Sequence, residues 1–510
     1  MSTSLAERVL GRFTVNNVHP ALSVDGVTYS YATLGRMSDA LAAELLAGAG
    51  PLAGRRIGLA GTGSLSAYLT VLASLRLGAT YVPLDLSAPD DRLEHVLVTS
   101  APAVVVMDPR HHSRLPLLAR HAAVLDPLGG EWVDGPADQR SETGDDVYVL
   151  FTSGSTGQPK GIGIPERCVL TMFDAMTQVA PVLATDVVAQ SFELTFDLAQ
   201  YSTLAAWSEG AHVAVLSATD RLRPVAFVRS NRVSYWFSVP TVAALAEESG
   251  DLQPAAMPSV RVSLFCGEAL PTKIAGAWSQ STSGAPLWNL YGPTEATIAC
   301  AAHRVDPDAS DGAAFVPLGE PFPGTRFALR TDKGGIIPVE PGGSGELLIG
   351  GTQLFTGYLR APDQTRAAFL PTAQPECTRG PERGRWYRSG DRVRVDDVGR
   401  LMYLGRTDDQ VQVRGHRVEL KEVEIRLASA LDIPPSNVAA VAIEGPEGMI
   451  DYLGVAVADR RASIEGIRDA AVRCLPDYMV PRVIKSLPNL PTNSNGKTDR
   501  NALRPLLTQE

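Results

Sequence analysis

Between residues 55 and 108 three short apolar runs, RRIGLAG, ATYVPLD and AVVVMD, are separated by segments of helical period such as SAYLTVLASLRLG. Strands buried on both faces read as continuous Val/Ile/Leu runs, and a helix between successive runs is what a parallel connection needs. The scheme recurs from 186 to 300, where DVVAQSF, HVAVL, VSYWFSVP and VRVSLFCG are strand-like with helical stretches between them. This alternation restricts the chain to an α/β fold built on largely parallel sheets.

Other textures flank this body. SVDGVTYSYATLG, residues 23–35, predicts a hairpin with Asp25-Gly26 at its turn. A helix over 36–48 follows, with Leu41, Leu45 and Leu46 on its buried side. From about residue 316 short runs such as FALRT and GELLIGG, bounded by Gly and Pro, predict a smaller β-rich subdomain. From 420 onward a helix (KEVEIRLASAL), two strands (VAAVAIEG, YLGVAVA) and a further helix form an α+β unit of about 100 residues, large enough to be independent. The expected division is residues 1–407 and 408–510, with a hinge at Asp408.

The chain is 45% hydrophobic and 20% charged over 510 residues, enough for a large core. A formal net charge of −10 argues against broad nucleic-acid binding, which needs a basic footprint. MSTSLAERVLGRF lacks a basic segment followed by an apolar one, so no secretory leader is expected. No uncharged apolar run reaches the roughly 18 residues of a membrane span. Cys168, Cys266, Cys300, Cys377 and Cys474 are scattered, without a CxxC pair, and the eight histidines show no HExxH spacing. A cytoplasmic, reduced protein without a structural metal is the expectation.

LFTSGSTGQPKGI, residues 150–162, joins a strand-like start to a hydroxyl- and glycine-rich loop ending on Lys160. Hydroxyls, accessible backbone N–H groups and a cation suit phosphate. The P-loop pattern G-x-x-x-x-G-K-[ST] does not fit, because Pro159 precedes the lysine and no Ser or Thr follows it. Pro159 also disfavours a helix starting at Lys160. Four further strings accompany this loop: YGPTEATIA (291–299), WYRSGDRV (386–393), YLGRTDDQVQVRGHRVEL (403–420) and LPTNSNGKTDRNAL (490–503).

With these five strings the chain resembles the adenylate-forming superfamily: acyl-CoA synthetases, luciferases and the adenylation domains of nonribosomal peptide synthetases. The likeness is strongest to amino-acid-activating adenylation domains and covers nearly the whole chain. It implies a large N-terminal domain and a small, mobile C-terminal one, with ATP and Mg²⁺ as cofactors. By that resemblance Thr152, Ser153, Gly154, Ser155, Thr156, Gly157 and Lys160 cradle phosphates. Tyr291 stacks on the adenine with Gly267, Glu268 and Asn289 beside it, and Gly292 and Thr294 also bind ATP. Asp391 takes the ribose hydroxyls, Arg406 contacts the ribose–phosphate side and Glu295 holds Mg²⁺. Lys497 is the catalytic residue at the α-phosphate, Asp408 the hinge, and Gly415 lines a pantetheine tunnel.

FELTFDLAQYSTLAAW, 192–207, sets one aspartate among apolar residues. In the domains it resembles, this aspartate, Asp197, pairs with the α-ammonium of an amino acid, and a buried carboxylate needs such a partner. The remaining pocket walls would be Leu198, Tyr201, Phe237, Leu264, Cys266, Leu290, Ile298 and Ala299, none of them charged. A small apolar amino acid fits, because a charged side chain would be left unpaired. SFELTFDLAQY is similar to stand-alone proline-activating enzymes and, less so, to D-alanine–carrier ligases. L-Proline is the preferred substrate, with valine, alanine and other small aliphatic ones open. Ala199-Gln200 departs from the Ser-Val expected in the proline enzymes. The chain stops soon after Lys497 without a carrier-like segment, so a phosphopantetheinylated carrier protein in trans is the expected acceptor, with no nucleic acid or membrane partner. Arg406, Arg414, Arg417 and Lys421 are either a docking patch for it or solvated charges. An acyl-CoA ligase and a catalytically silent adenylate-binding protein are the alternatives.

Overall fold

The computed structural model describes residues 4–127, 146–154, 157–306, 312–370, 385–459, 462–492 and 498–508. They form two compact units, one of residues 1–86, 97–150 and 161–405, the other of 87–96, 151–160 and 406–510. The second unit thus takes up residues 87–96, 151–160 and 406–407 from within the range 1–407.

The first unit is α/β, as the alternation predicts. A nine-stranded sheet runs in the order 320–321, 301–304, 287–291, 262–265, 235–238, 187–190, 212–215, 20–24, 27–30. Its central pairings are parallel and its edges antiparallel. A six-stranded sheet runs 123–125, 104–107, 56–60, 80–84, 146–152, 160–165. A five-stranded sheet spans 325–406, with antiparallel pairing about the strand Ser344–Gly351. It is the β-rich subdomain.

Local chemistry explains the elements. Ser64 accepts from the Ala67 N–H to cap the helix Leu65–Leu77, which ends on left-handed Gly78. Nearly every side chain of that helix is buried, as it must be for a helix apolar all round. Asp25 (φ 51°) and Gly26 (φ 76°) make the turn between Pro20–Val24 and Val27–Ser30. The next helix begins at Tyr31, five residues before the predicted start, because Ser30 accepts from the Thr33 N–H and caps it there.

In the second unit, hairpin strands Gln410–Val413 and His416–Glu419 turn through Arg414 (φ 51°) and Gly415 (φ 84°). Val438–Glu444, Ile450–Val457 and Val483–Ser486 form a three-stranded sheet. Val438, Ala440 and Ala442 pack toward the helices Leu420–Leu431 and Ile464–Cys474, and Ala439, Val441 and Ile443 toward Arg500–Thr508. Burial of both faces is why VAAVAIE reads as one apolar run.

Candidate functional site

In the first unit the candidates gather at the C-terminal ends of the parallel strands, where open α/β sheets present their ligand crevices. Asn289 and Tyr291 lie two apart on strand Leu287–Tyr291 and so share a face. Tyr291 donates its hydroxyl to Asp391 (2.5 Å), on strand Tyr387–Val395. Burial, and next the Asp391 carboxylate, push the Tyr291 phenol well above its ordinary value, so it stays a donor. Asn289 donates to the Pro317 carbonyl (2.9 Å), while its buried side-chain oxygen has no partner among the described residues. Gly267 (φ 90°) sits against Leu198, and Glu268 accepts from the Thr241 N–H and hydroxyl (2.9 and 2.6 Å).

The strand ending at Tyr291 leads into a short 3₁₀ turn, Thr294–Ala296. Gly292 is required there: a Cβ would lie 2.7 Å from the Ala299 Cα. Glu295 is fully buried and accepts from the Tyr358 hydroxyl (2.8 Å). Thr297 (φ 60°) and Ile298 (φ 68°) are both left-handed, which is a strained conformation for β-branched residues. Gln353, 1% exposed, holds this turn. Its amide donates to the carbonyls of Ala296 (3.3 Å) and Ala299 (2.8 Å), and its own backbone carbonyl accepts from Thr297 Oγ1 (2.7 Å).

Asp197 is the first residue of helix Asp197–Glu209. Its carboxylate is close enough to raise the Cys266 and Tyr148 pKa values, as the second cause after burial. Phe237 pairs with Leu264 in adjacent strands. The Phe237 ring meets Phe192 edge-on at 5.1 Å and Tyr201 at 5.8 Å. Leu198, Tyr201, Phe237, Leu264, Cys266, Leu290, Ile298 and Ala299 all lie in one buried cluster. The Tyr201 hydroxyl is taken up by Tyr235 (2.9 Å), which donates on to the Ala180 carbonyl (2.8 Å). What Tyr201 contributes to the wall is therefore a ring.

Of the hydroxyl-rich string, residues 151–160 fall in the second unit; Lys160 is the first residue of strand Lys160–Pro165, so it opens a strand rather than a helix. This is the physical reason the P-loop pattern fails. Ser153 donates to the Arg417 carbonyl (2.8 Å), and the Gly154 N–H donates to Glu422 (3.1 Å), whose carboxylate also pairs with Arg92. The Thr152 hydroxyl is buried with no partner among the described residues. Gly157 (φ 82°) donates to the Gly154 carbonyl (3.0 Å). Ser155, Thr156 and Lys497 lie outside the described residues, as does Cys377. Arg406 forks onto Asp408 (2.7 and 2.9 Å), whose carboxyl is held low by that pair although burial opposes it. Arg414 pairs with Asp451, Arg417 with Gln410 and Lys421 with Asp409. All four cations read as a docking patch have partners within this unit.

Sequence reasoning passed over Gln353, Tyr358 and Tyr81 and met Gln200 only as a departure from the proline enzymes, because single polar residues in apolar stretches carry no motif. A glutamine inside FDLAQYSTLAAW was nonetheless a signal: a helix apolar all round is buried, and a polar group within it needs partners.

Residues 13–359 match the family of AMP-binding enzymes. The chain belongs to that family. Among its relatives is an L-proline–[L-prolyl-carrier protein] ligase of Streptomyces coelicolor, 33% identical over 458 residues, covering 84% of this chain and 83% of that protein. Phosphinothricin tripeptide synthetase PhsC of Streptomyces viridochromogenes is 34% identical over 504 residues, which are 96% of this chain but 44% of the synthetase. This AMP-binding enzyme thus spans less than half the length of such a relative. The fold is that of adenylation domains: the Vibrio cholerae adenylation domain AlmE, solved with glycyl-adenosine-5′-phosphate, superposes with a TM-score of 0.87 at 28% identity, covering 100% of this chain and 98% of AlmE. Among the described residues no group of His, Cys, Asp and Glu is arranged to hold a metal by itself, and no helix is long and apolar enough to cross a membrane.

Proposed function

We propose that this chain activates a small apolar amino acid as its aminoacyl adenylate and passes the acyl group to the phosphopantetheine thiol of a separate carrier protein. The observation that carries the reading is Asp197 at the head of a buried helix, beside an uncharged wall of Leu198, Tyr201, Phe237 and Cys266. Asp197 would pair the α-ammonium, and the wall would take the side chain. L-Proline is the preferred substrate. The proline–carrier ligase relative supports that choice and the carrier acceptor; a neighbour solved with a glycyl adenylate supports a small amino acid.

In the first half-reaction the substrate carboxylate attacks the α-phosphorus of ATP, and the bond to pyrophosphate breaks. Positioning and charge stabilisation carry such a step. Tyr291 and Asp391 would hold the nucleoside, and Arg406 the ribose–phosphate side. Thr152, Ser153, Gly154, Gly157 and Lys160 would hold the phosphates, and Lys497 would meet charge converging at the α-phosphate. Glu295 suits Mg²⁺, which takes one or two carboxylates and completes its shell with phosphate oxygens and water. Tyr358 uses one of the about four lone-pair sites of that carboxylate. The ion would neutralise phosphate charge. Residues 408–510 would form the mobile domain, turning about Asp408, with Gly415 leaving room for the pantetheine arm.

Amino-acid-dependent ATP–pyrophosphate exchange across a panel of amino acids tests the reading. A strong signal for one small apolar amino acid is expected, falling at least about a hundredfold in Asp197→Ala and in Lys497→Ala. Exchange only with acids lacking an amine would assign the protein to acyl-CoA ligase chemistry. Absence of exchange with any acid would leave an adenylate-binding protein.

A further inference from the structure

Gln200 lies three residues beyond Asp197, in the first turn of the same helix, and is 1% exposed. Its Nε2 donates to the carbonyls of Leu194 (2.7 Å) and Phe196 (3.3 Å), the residues that lead the chain into Asp197. Its Oε1 accepts from the hydroxyl of Tyr81 (2.6 Å), itself fully buried on strand Thr80–Leu84. Helix Asp197–Glu209 has no side-chain cap: Phe196 occupies that position and its side chain makes no capping bond. A side chain inside the helix thus reaches back to the chain that enters it, beside the backbone bond from the Phe196 N–H to the Glu193 carbonyl (2.9 Å).

From this geometry we infer that Gln200 is a positioning residue for the substrate amine. It fixes the backbone on which Asp197 stands, and Tyr81 locks its amide against the six-stranded sheet. The inference rests on the proposed pairing of Asp197 with the α-ammonium. A carboxylate that must meet an ammonium in fixed geometry loses much of its value when displaced by about 1 Å. Asp197 is the first helical residue, so any freedom in 194–196 moves its Cα directly. A leucine at 200 would fill nearly the same volume and keep the helix, but would release both carbonyls and the Tyr81 hydroxyl. The inference also gives meaning to Ala199-Gln200, the point at which the sequence departs from the proline enzymes it resembles.

The test is pyrophosphate exchange by the full chain with two probes: the proteinogenic amino acid giving the fastest exchange, and the carboxylic acid differing from it only in lacking the amine. In Gln200→Leu the KM for the amino acid rises about tenfold, while kcat and the KM for ATP stay within about twofold of wild type. The preference for the amino acid over its deamino analogue shrinks correspondingly, and Gln200→Leu added to Asp197→Ala shrinks it no further. A merely structural glutamine would weaken both acids alike or lower kcat for both; either result, or an unchanged preference, overturns the inference. If Gln200→Leu does not fold, Tyr81→Phe carries the test, since it keeps both amide donors; about a threefold change in the same direction is expected, and an unaltered preference overturns the inference. Should Asp197→Ala leave the preference intact, it is the reading of Asp197 that fails, and the role of Gln200 with it.

Discussion

Two buried glutamines, each 1% exposed, brace backbone next to residues of the proposed pocket, Asp197 for one and Ile298 for the other, and they hold very different backbones. Gln200 grips carbonyls of a segment that runs smoothly into a helix, with Phe196 in ordinary extended geometry at φ −100°. Gln353 grips carbonyls on either side of Thr297 and Ile298, which lie at φ 60° and 68°. Without its glutamine the first backbone would wander but stay comfortable. The second would be released from a conformation that β-branched residues avoid at about 1–3 kcal/mol each. One glutamine selects among relaxed states; the other maintains a strained one.

The comparison predicts an order of effects. Gln200→Leu removes two donor contacts and an acceptor from a relaxed backbone and is expected to lower stability by about 2–4 kcal/mol, against about 1–3 kcal/mol for Gln353→Leu, where relaxation of the strained turn returns part of the loss, read from urea unfolding followed at the first unit. Equal losses would mean that the left-handed residues store nothing. Next, Ile298→Gly relieves the φ requirement at the cost of a buried side chain. Its cost is expected to be about 1 kcal/mol smaller in the wild type, where the turn is held strained, than in the Gln353→Leu background, where the turn has relaxed, and additive behaviour in that double-mutant cycle would break the distinction. The smallest effect is expected at Tyr201→Phe. Tyr235 keeps its bond to the Ala180 carbonyl, so the loss should be about 0.5–1.5 kcal/mol, and the ranking of amino acids in exchange should not change. A reordered ranking would show that the hydroxyl, not only the ring, faces the substrate.

Much of the fold was legible because parallel strands buried on both faces leave uninterrupted apolar runs: RIGLA, TYVPL and VVVM each became a strand. The Asp25-Gly26 hairpin was legible from turn chemistry. The start of the next helix was missed because a serine cap, Ser30, looks like part of the strand before it. At the site, pairs meeting across long stretches of chain, Tyr291 with Asp391 and Asp197 near Cys266, rested on resemblance, since nothing local marks them. The strain at Thr297-Ile298 runs against what those residue types favour. The anchoring glutamines look like any surface glutamine until burial is known.

The hydroxyl chain from Tyr201 through Tyr235 to the Ala180 carbonyl has one more consequence. It uses up the Tyr201 hydroxyl inside the core, so that under the proposed function this residue would offer the substrate only its ring. Under the proposed function such a surface acts as a ruler, sorting by length and bulk. One methylene more or less is worth about 10–200-fold on a ruler of this kind. Close homologues of the chosen amino acid would therefore be activated at about 0.5–10% of its rate, so that this surface would sort near neighbours by degree rather than exclude them.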